Sequence, residues 1–207
     1  MTQYFEIHPK NPQRRLILRL VEILNQGGVI VYPTDSMYAL GCKIGNKAAK
    51  ERIQRIRGLD RSHQFTLVCP NLSSLATYAK VDNIAYRILR QLTPGPYTFI
   101  LSATSEVPRL LMDPRRKSIG LRVPANTIAQ ALLFELADPL MSVTLSLPHN
   151  DNYLIDPSEI RSELANDVDA VIDGGYCGTE ATTIIDLVGK VPRVIRAGKG
   201  DITLFEE

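Results

Sequence analysis

The 207-residue chain sets 24 Lys and Arg against 22 Asp and Glu, a formal net charge of +2, and is 44% hydrophobic and 22% charged. Those proportions are ordinary for a globular domain and exclude a disordered polyelectrolyte. No apolar run approaches the ~20 residues needed to cross a bilayer, and so small a charge excess does not by itself imply nucleic acid as a partner.

The first residues, Met1 to His8, carry neither a basic stretch nor an apolar core and are not read as a signal peptide. Asn11-Pro12 reads as an N-cap followed by proline at the first helical position, with Leu16, Ile17, Leu20, Ile23 and Leu24 at helical spacing up to Gly27. Val29 to Tyr32 is a short β-branched strand stopped by Pro33. The chain is then expected to leave the sheet with Thr34, Asp35, Ser36 and Tyr38 close together. That cluster is either the lip of a ligand pocket at a strand end or a capped turn in which Thr34 and Asp35 bond nearby amides.

Asn46 is expected to cap a helix through about Arg57 with Ala49, Ile53 and Ile56 inward. Phe65 to Cys69 reads as a strand, Asn71 opens a short helix, and Asp82 caps another with Ile84, Ala85, Ile88 and Leu89 on one face. Thr93-Pro-Gly-Pro96 is a rigid turn into a strand from Tyr97 to Ser102. Val107 to Met112 predicts a weak helix, and Asp113 to Lys117 a basic loop. Ser118 to Pro124 reads as a strand, Asn126 caps a helix, and Met141 to Leu147 is a strand followed by a loop from Pro148 to Asn152. A helix from Pro157 to Leu164 and strands over Val168 to Ile172, Thr182 to Leu187 and Val191 to Arg196 complete the pattern. The alternation, with several connections too short for a helical crossover, predicts a single α/β domain over residues 1–207 with a mixed sheet.

Several chemistries lack their signatures. There is no GxxxxGK[ST], no GxGxxG between strand and helix and no GxSxG, and His8, His63 and His149 sit in loop contexts. The three cysteines, Cys42, Cys69 and Cys177, are far apart and form no CxxC pair, which points to reduced thiols in a cytoplasm and to no metal site. The remaining feature is a set of strand-end hydroxyls and arginines: Thr34, Ser118, Arg122, Ser142, Thr144, Thr182 and Arg196. Gathered by a sheet, they would form a basin for phosphate or carboxylate. Singly, each hydroxyl is an ordinary strand residue and Arg122 an edge arginine.

Tyr32-Pro-Thr-Asp-Ser-Met-Tyr-Ala-Leu-Gly41 closely resembles the YPTDTxYGLG signature of the YrdC/Sua5/YciO family. Thr93 to Leu101, Ile119 to Pro124, Thr182 to Leu187 and Val194 to Gly198 resemble further family motifs in the same order, and the stretches around Arg55-Ile-Arg57 and Phe65-Thr-Leu67 look most like the YciO branch. The resemblance covers nearly the whole chain. It implies a twisted α/β domain with a large concave positive cavity. It also implies synthesis of threonylcarbamoyl-AMP from L-threonine, bicarbonate and ATP with Mg²⁺, at the start of a tRNA modification. By motif position, Thr34, Arg122, Ser142 and Thr182 would contact threonine, and Ser118, Thr144, Arg196 and His63 the nucleotide. Arg57 would join Thr34, Arg122 and Ser142 as a catalytic group.

The chain also departs from the synthase pattern. Where the resemblance implies Lys-x-Arg, this sequence has Arg57-Gly-Leu59, with Arg55 or Arg61 as possible replacements, and Ser-x-Asn becomes Ser142-Val-Thr144. Losing one charged contact commonly costs about 1.5–3 kcal/mol, so weakened or altered activity is expected. The alternative expectation is a double-stranded RNA or tRNA binder using Arg52, Arg55, Arg57, Arg61, Arg115, Arg116 and Lys117 around the cavity.

Overall fold

The computed structural model describes residues 2–148 and 153–206. His149 and the end of the loop expected from Pro148 to Asn152 lie outside them. The described residues form ten strands, β1 (Gln3–Glu6), β2 (Val29–Tyr32), β3 (Ala39–Lys43), β4 (Thr66–Val68), β5 (Tyr97–Ser102), β6 (Ser118–Arg122), β7 (Leu140–Thr144), β8 (Ala170–Asp173), β9 (Thr183–Asp186) and β10 (Arg193–Arg196). They make one mixed sheet in the order β1-β8-β2-β3-β7-β4-β6-β5-β9-β10. The helices are α1 (Arg14–Asn25), α2 (Lys47–Arg57), α3 (Leu72–Tyr78), α4 (Asn83–Leu92), α5 (Thr127–Leu136) and α6 (Pro157–Glu163). None is long and apolar enough to cross a membrane.

Most helix starts follow from local chemistry. The Oδ1 atoms of Asn46, Asp82 and Asn126 accept the amides of Ala49, Ala85 and Ala129 at 3.0, 2.8 and 3.0 Å, satisfying a donor that the first helical turn leaves free. Gly58, at φ +61°, ends α2 in the left-handed conformation. Helix α1 begins two residues later than Asn11-Pro12 suggests. The Lys10 and Asn11 amides instead donate to His8 Nδ1 at 3.2 and 3.1 Å, folding that segment into a loop. Its buried residues, Ile17, Leu20, Val21 and Leu24, keep the i, i+3, i+4, i+7 spacing. In α4, Ala85 and Leu89 are buried while Ile84 is half exposed, so the apolar face is narrower than the sequence pattern.

One expectation is corrected, and two strands join the sheet that the sequence pattern does not suggest. The chain leaves the sheet over residues 33–38, a hairpin loop, and β3 returns antiparallel to β2 with Tyr32 opposite Ala39. Strand β3 lacks β-branched residues, and it fits because Gly41 has no side chain; a Cβ there would lie 2.8 Å from the Tyr32 ring. No helix forms from Val107 to Met112, where the Val107 and Leu111 amides close separate turns onto Thr104 and Pro108. Strand β1, which the sequence pattern does not suggest, pairs in parallel with β8 at one sheet edge.

The two faces of the sheet are covered unequally. Leu67, Phe99, Leu121, Met141 and Ile185 share one apolar cluster with Ile53 of α2, Leu75 of α3, Leu89 of α4 and Ile160 of α6. On the other face, α1 and α5 pack over Phe5, Ile30, Tyr32, Leu140, Ala170 and Ile172. That cover lies over the β1-β8-β2-β3 end. Across β7, β4, β6, β5 and β9 the same face carries Ser142, Thr144, Thr66, Gly120, Arg122, Thr98 and Ile184, all lining open cavities.

Candidate functional site

Strand pairing assembles the floor. Thr66 of β4 stands opposite Ser142 of β7 on one side and Gly120 of β6 on the other, and Val68 stands opposite Arg122. Because alternate residues share a face, Ser142 and Thr144, Gly120 and Arg122, and Thr66 and Val68 all project to the same side. The result is a cavity of about 310 Å³ whose lining includes Arg57, His63, Thr66, Thr98, Arg122, Ser142, Thr144, Ser146, Thr182 and Arg196. A second recess of about 170 Å³ adjoins it, sharing Gln64, Thr66, Thr98 and Ile184, with Phe65, Ile100, Ile119, Arg116 and Ser118 around it.

Three arginines face the larger cavity, and among the described residues its lining contains no Asp or Glu. Arg122 is 7% exposed, on an interior strand rather than an edge. Its Nη2 donates to Ser36 Oγ at 3.0 Å and Thr34 Oγ1 at 3.3 Å and forms an ion pair with Asp35 Oδ1. Asp35 Oδ2 in turn accepts the Ala125 amide at 3.0 Å, so the carboxylate is held from both sides. Arg57 donates from Nη1 to the Ser146 carbonyl, and burial lowers its pKa. The Nε atoms of Arg57 and Arg122 are both buried and without a protein partner.

Arg196 forms the far wall. Its Nη2 and Nε donate to the Thr182 carbonyl at 2.8 and 3.2 Å, and the Thr182 hydroxyl meets Thr98 Oγ1 at 2.9 Å. On the near wall Tyr32 Oη lies 2.7 Å from Ser142 Oγ, which donates to the Leu40 carbonyl at 3.1 Å. Burial pushes the Tyr32 phenol up to about 12, so it keeps its proton at any physiological pH.

Arg57, His63, Arg122, Ser142, Thr144, Thr182 and Arg196 are thus brought together around one cavity, and Ser118 lines the adjoining recess. Thr34 stands behind them. Its hydroxyl accepts the Ser36 and Met37 amides at 3.1 and 3.2 Å and donates to the Met37 carbonyl at 2.6 Å, so it forms the capped turn and steadies Arg122. Neither Arg55 nor Arg61 is in the lining, so neither takes the place of the missing cation. Of the cations expected to rim the cavity for RNA, Arg52 pairs with Asp169 and Arg116 with Asp186. Sequence reasoning missed Thr66, Thr98 and Ser146 as lining residues; the signal was the polar residue between apolar neighbours in Phe65-Thr-Leu67 and Tyr97-Thr-Phe99.

His63 sits at the rim, where burial, Arg57 and Lys50 together lower its pKa. A base whose folded pKa lies below its unfolded value binds its proton more readily in the unfolded chain. The ligand-free protein therefore loses stability as pH falls through the ordinary histidine range near ~6.5. An anion in the cavity offsets the repulsion from Arg57, so anion affinity rises over the same window. Melting temperatures and nucleotide affinities from pH 5 to 8 should show both trends in the native protein and neither in His63→Gln; identical profiles would remove His63 from the rim electrostatics.

Residues 22–198 match the family model described as "Telomere recombination", that of the Sua5, YciO and YrdC proteins. The chain belongs to the Sua5/YciO/YrdC family. It is 56% identical over 205 residues to the uncharacterized protein YciO of Escherichia coli, covering 99% of this chain and all of that one. The crystal structure of E. coli YciO matches with a TM-score of 0.94, covering 99% of this chain and 100% of that one. A threonylcarbamoyl-AMP synthase of Nitrosococcus oceani is 36% identical over 123 residues, 59% of this chain and 66% of that protein. The crystal structure of P. abyssi Sua5 complexed with L-threonine shares the fold, with a TM-score of 0.87 at 22% identity over 95% of this chain and 58% of that one. Sua5/YciO/YrdC membership agrees with the resemblance read from the motifs, and the match to YciO agrees with the branch.

Proposed function

We propose that the cavity and its adjoining recess take ATP together with a carboxylate-bearing amino acid, and that the protein forms an acyl-adenylate of the threonylcarbamoyl-AMP kind. The observation that carries this reading is the convergence of Arg57, Arg122 and Arg196 with the hydroxyls of Thr98, Ser142, Thr144 and Thr182 on one cavity whose described lining has no carboxylate. Family membership and the distant synthase relative support it. The recess, walled by Phe65, Ile100, Ile119 and Ile184, suits a planar heterocycle, and the arginine side suits phosphates and a carboxylate.

In this reaction the threonine nitrogen adds to carbon dioxide derived from bicarbonate, forming an N–C bond and losing a proton to solvent. A carbamate oxygen then attacks the α-phosphorus, and the bond to pyrophosphate breaks as the new O–P bond forms. Arg122 holds the amino acid carboxylate, Arg57 and Arg196 balance the phosphates, and the Thr98–Thr182 pair and Thr144 orient the oxygens. Fixed cations and hydroxyls of this kind lower the barrier by positioning the two anions in line and stabilising the charge that develops. Magnesium, if bound with the nucleotide, would offset phosphate charge; the larger cavity's described lining has no carboxylate to hold it, and the recess has Asp113.

Calorimetric titration with Mg–ATP, with and without threonine and bicarbonate, tests the proposal when followed by assay of threonylcarbamoyl-AMP in the same sample. Nucleotide binding with threonine-dependent product and pyrophosphate is expected; nucleotide binding without product would reassign the protein to a different acyl group. Gly120 supplies a second arm, because a Cβ at that position lies 3.4 Å from Thr66 Oγ1 and 3.6 Å from Thr98 Cγ2 at the mouth of the recess. Gly120→Val should leave the fold intact and weaken nucleotide binding about tenfold or more, since a branched side chain occupies the heterocycle's place. Unchanged affinity would put the base elsewhere.

A further inference from the structure

The sheet ends at β1, and hydrogen-bond direction fixes which of that strand's groups face outward. The Gln3 and Ile7 amides donate toward β8, to the Asp169 and Asp173 carbonyls at 2.9 and 2.8 Å. Backbone groups of a strand turn alternately to its two sides, so Phe5 also turns toward β8. Tyr4 and Glu6 present their N–H and C=O groups to the open edge. Sheet edges are commonly blunted by proline, lysine or a bulge. The opposite edge, β10, has a register shift between Val194 and Arg196 and carries two arginines. Strand β1 has none of these devices, and its pairing runs unbroken from Gln3 opposite Ala170 to Glu6 opposite Asp173.

Beside that edge lie a cation and a carboxylate that do not pair with each other. Tyr4 and Glu6 are two residues apart and share a face, and with Ser158, Arg161 and Ser162 they line a groove of about 630 Å³ between the edge and α6. The Arg161 guanidinium lies over the Tyr4 ring, 4.8 Å from its centroid. The Tyr4 hydroxyl donates to Asp173 Oδ2 at 2.8 Å, which fixes the ring under the guanidinium. Arg161 and Glu6 are both exposed, and among the described residues neither forms an ion pair.

We propose that this edge pairs with the same edge of a second copy, β1 antiparallel to β1 about a two-fold axis at Phe5, joining two ten-stranded sheets into one. The register follows from the outward groups. Tyr4 of one copy stands opposite Glu6 of the other, and each such pair exchanges two backbone hydrogen bonds. Opposed residues of this kind share a face with Cα atoms about 5.5 Å apart. Glu6 of one copy therefore arrives beside the Tyr4 ring of the other, where Arg161 lies, and the two-fold makes the same contact a second time. A foreign strand would need a carboxylate at the matching position; the second copy carries it at Glu6. The contact uses one patch on both copies and closes on itself, so assembly stops at a dimer. Strand β1 lies outside residues 22–198, so this surface is no part of the segment the family model matches.

Sedimentation velocity of the full chain over a wide range of concentration tests the pairing, and the native protein should become dimeric as concentration rises. Glu6→Arg and Arg161→Glu each set like charges together at both contacts and should weaken dimerisation about tenfold or more. Both side chains are exposed, so neither substitution threatens the fold. Mixed in equal amounts, the two variants should form a heterodimer about as readily as the native chain pairs with itself, because each contact again joins a cation to a carboxylate. Amide hydrogen exchange gives a second readout. The Tyr4 and Glu6 amides should exchange more slowly in the native dimer than in either variant alone, while the Phe5 amide, turned toward β8, is protected in all three. Three results overturn the proposal: a native chain that stays monomeric, a dimer indifferent to both substitutions, or variants that remain apart when mixed.

Discussion

Arg122→Ala should be the most damaging single substitution in the chain, lowering threonine-dependent pyrophosphate release at least about 100-fold and stability by about 3–5 kcal/mol. The two losses have different causes. Activity falls because a buried cation that lines the cavity is removed. Stability falls because Asp35 is left without its ion-pair partner when the side chains of the pair are only 9% and 11% exposed. Breaking a buried pair by removing one member strands a charge, whereas replacing both members costs far less. The double variant Arg122→Met with Asp35→Asn should therefore recover most of the melting temperature and none of the activity. If Arg122→Ala alone melted with the native protein, the Asp35 contact would not be what orients the arginine.

Gly198→Ala is expected to damage the opposite wall through the backbone. A Cβ at position 198 would sit 2.3 Å from the Ala181 carbonyl oxygen and 2.8 Å from both the carbon and oxygen of Thr182. Those are main-chain atoms on both sides, so no side chain can move aside. The segment must lift, which strains the Gly198 amide to Thr183 Oγ1 at 3.0 Å and the Lys199 amide to the Ala181 carbonyl at 2.9 Å. It also separates Arg196 from the Thr182 carbonyl that fixes its guanidinium. Destabilisation of about 1–3 kcal/mol and about tenfold weaker nucleotide binding are expected by thermal melting and calorimetry. Gly189→Ala is the control, since its Cβ meets nothing closer than 4.0 Å. Equal effects from the two substitutions would mean that the close approach at Gly198 is not what holds the wall.

The parts of this fold legible in the sequence are those decided within a few residues. The caps at Asn46, Asp82 and Asn126 each reach three residues along the chain, and each is where the pattern places it. Strand β3 was hidden because Ala39-Leu-Gly-Cys-Lys43 has no strand preference of its own and depends on a tyrosine ring filling the space above Gly41. The hydroxyls and arginines of the basin could be picked out, but their division of labour could not. Thr34 and Thr182 look equivalent in sequence, yet one is spent on its own turn and the other faces the cavity. Arg52 and Arg116 look as free as Arg57 until Asp169 and Asp186 arrive from more than a hundred and exactly seventy positions away in the chain. Ion pairs of such sequence separation have no local signal.

The uneven covering of the sheet has a consequence for how such a protein can change over time. Along β4, β5, β6 and β7, one set of alternate residues packs against helices and the other set faces the cavity. A substitution at Thr66, Thr98 or Thr144 alters the cavity lining while leaving the packed face, and with it the cluster of apolar contacts, untouched. Ligand choice and fold maintenance are thereby written in separate letters of the same strands. A chain built this way can drift from one acyl group or nucleotide to another by single steps, each of which yields a folded protein.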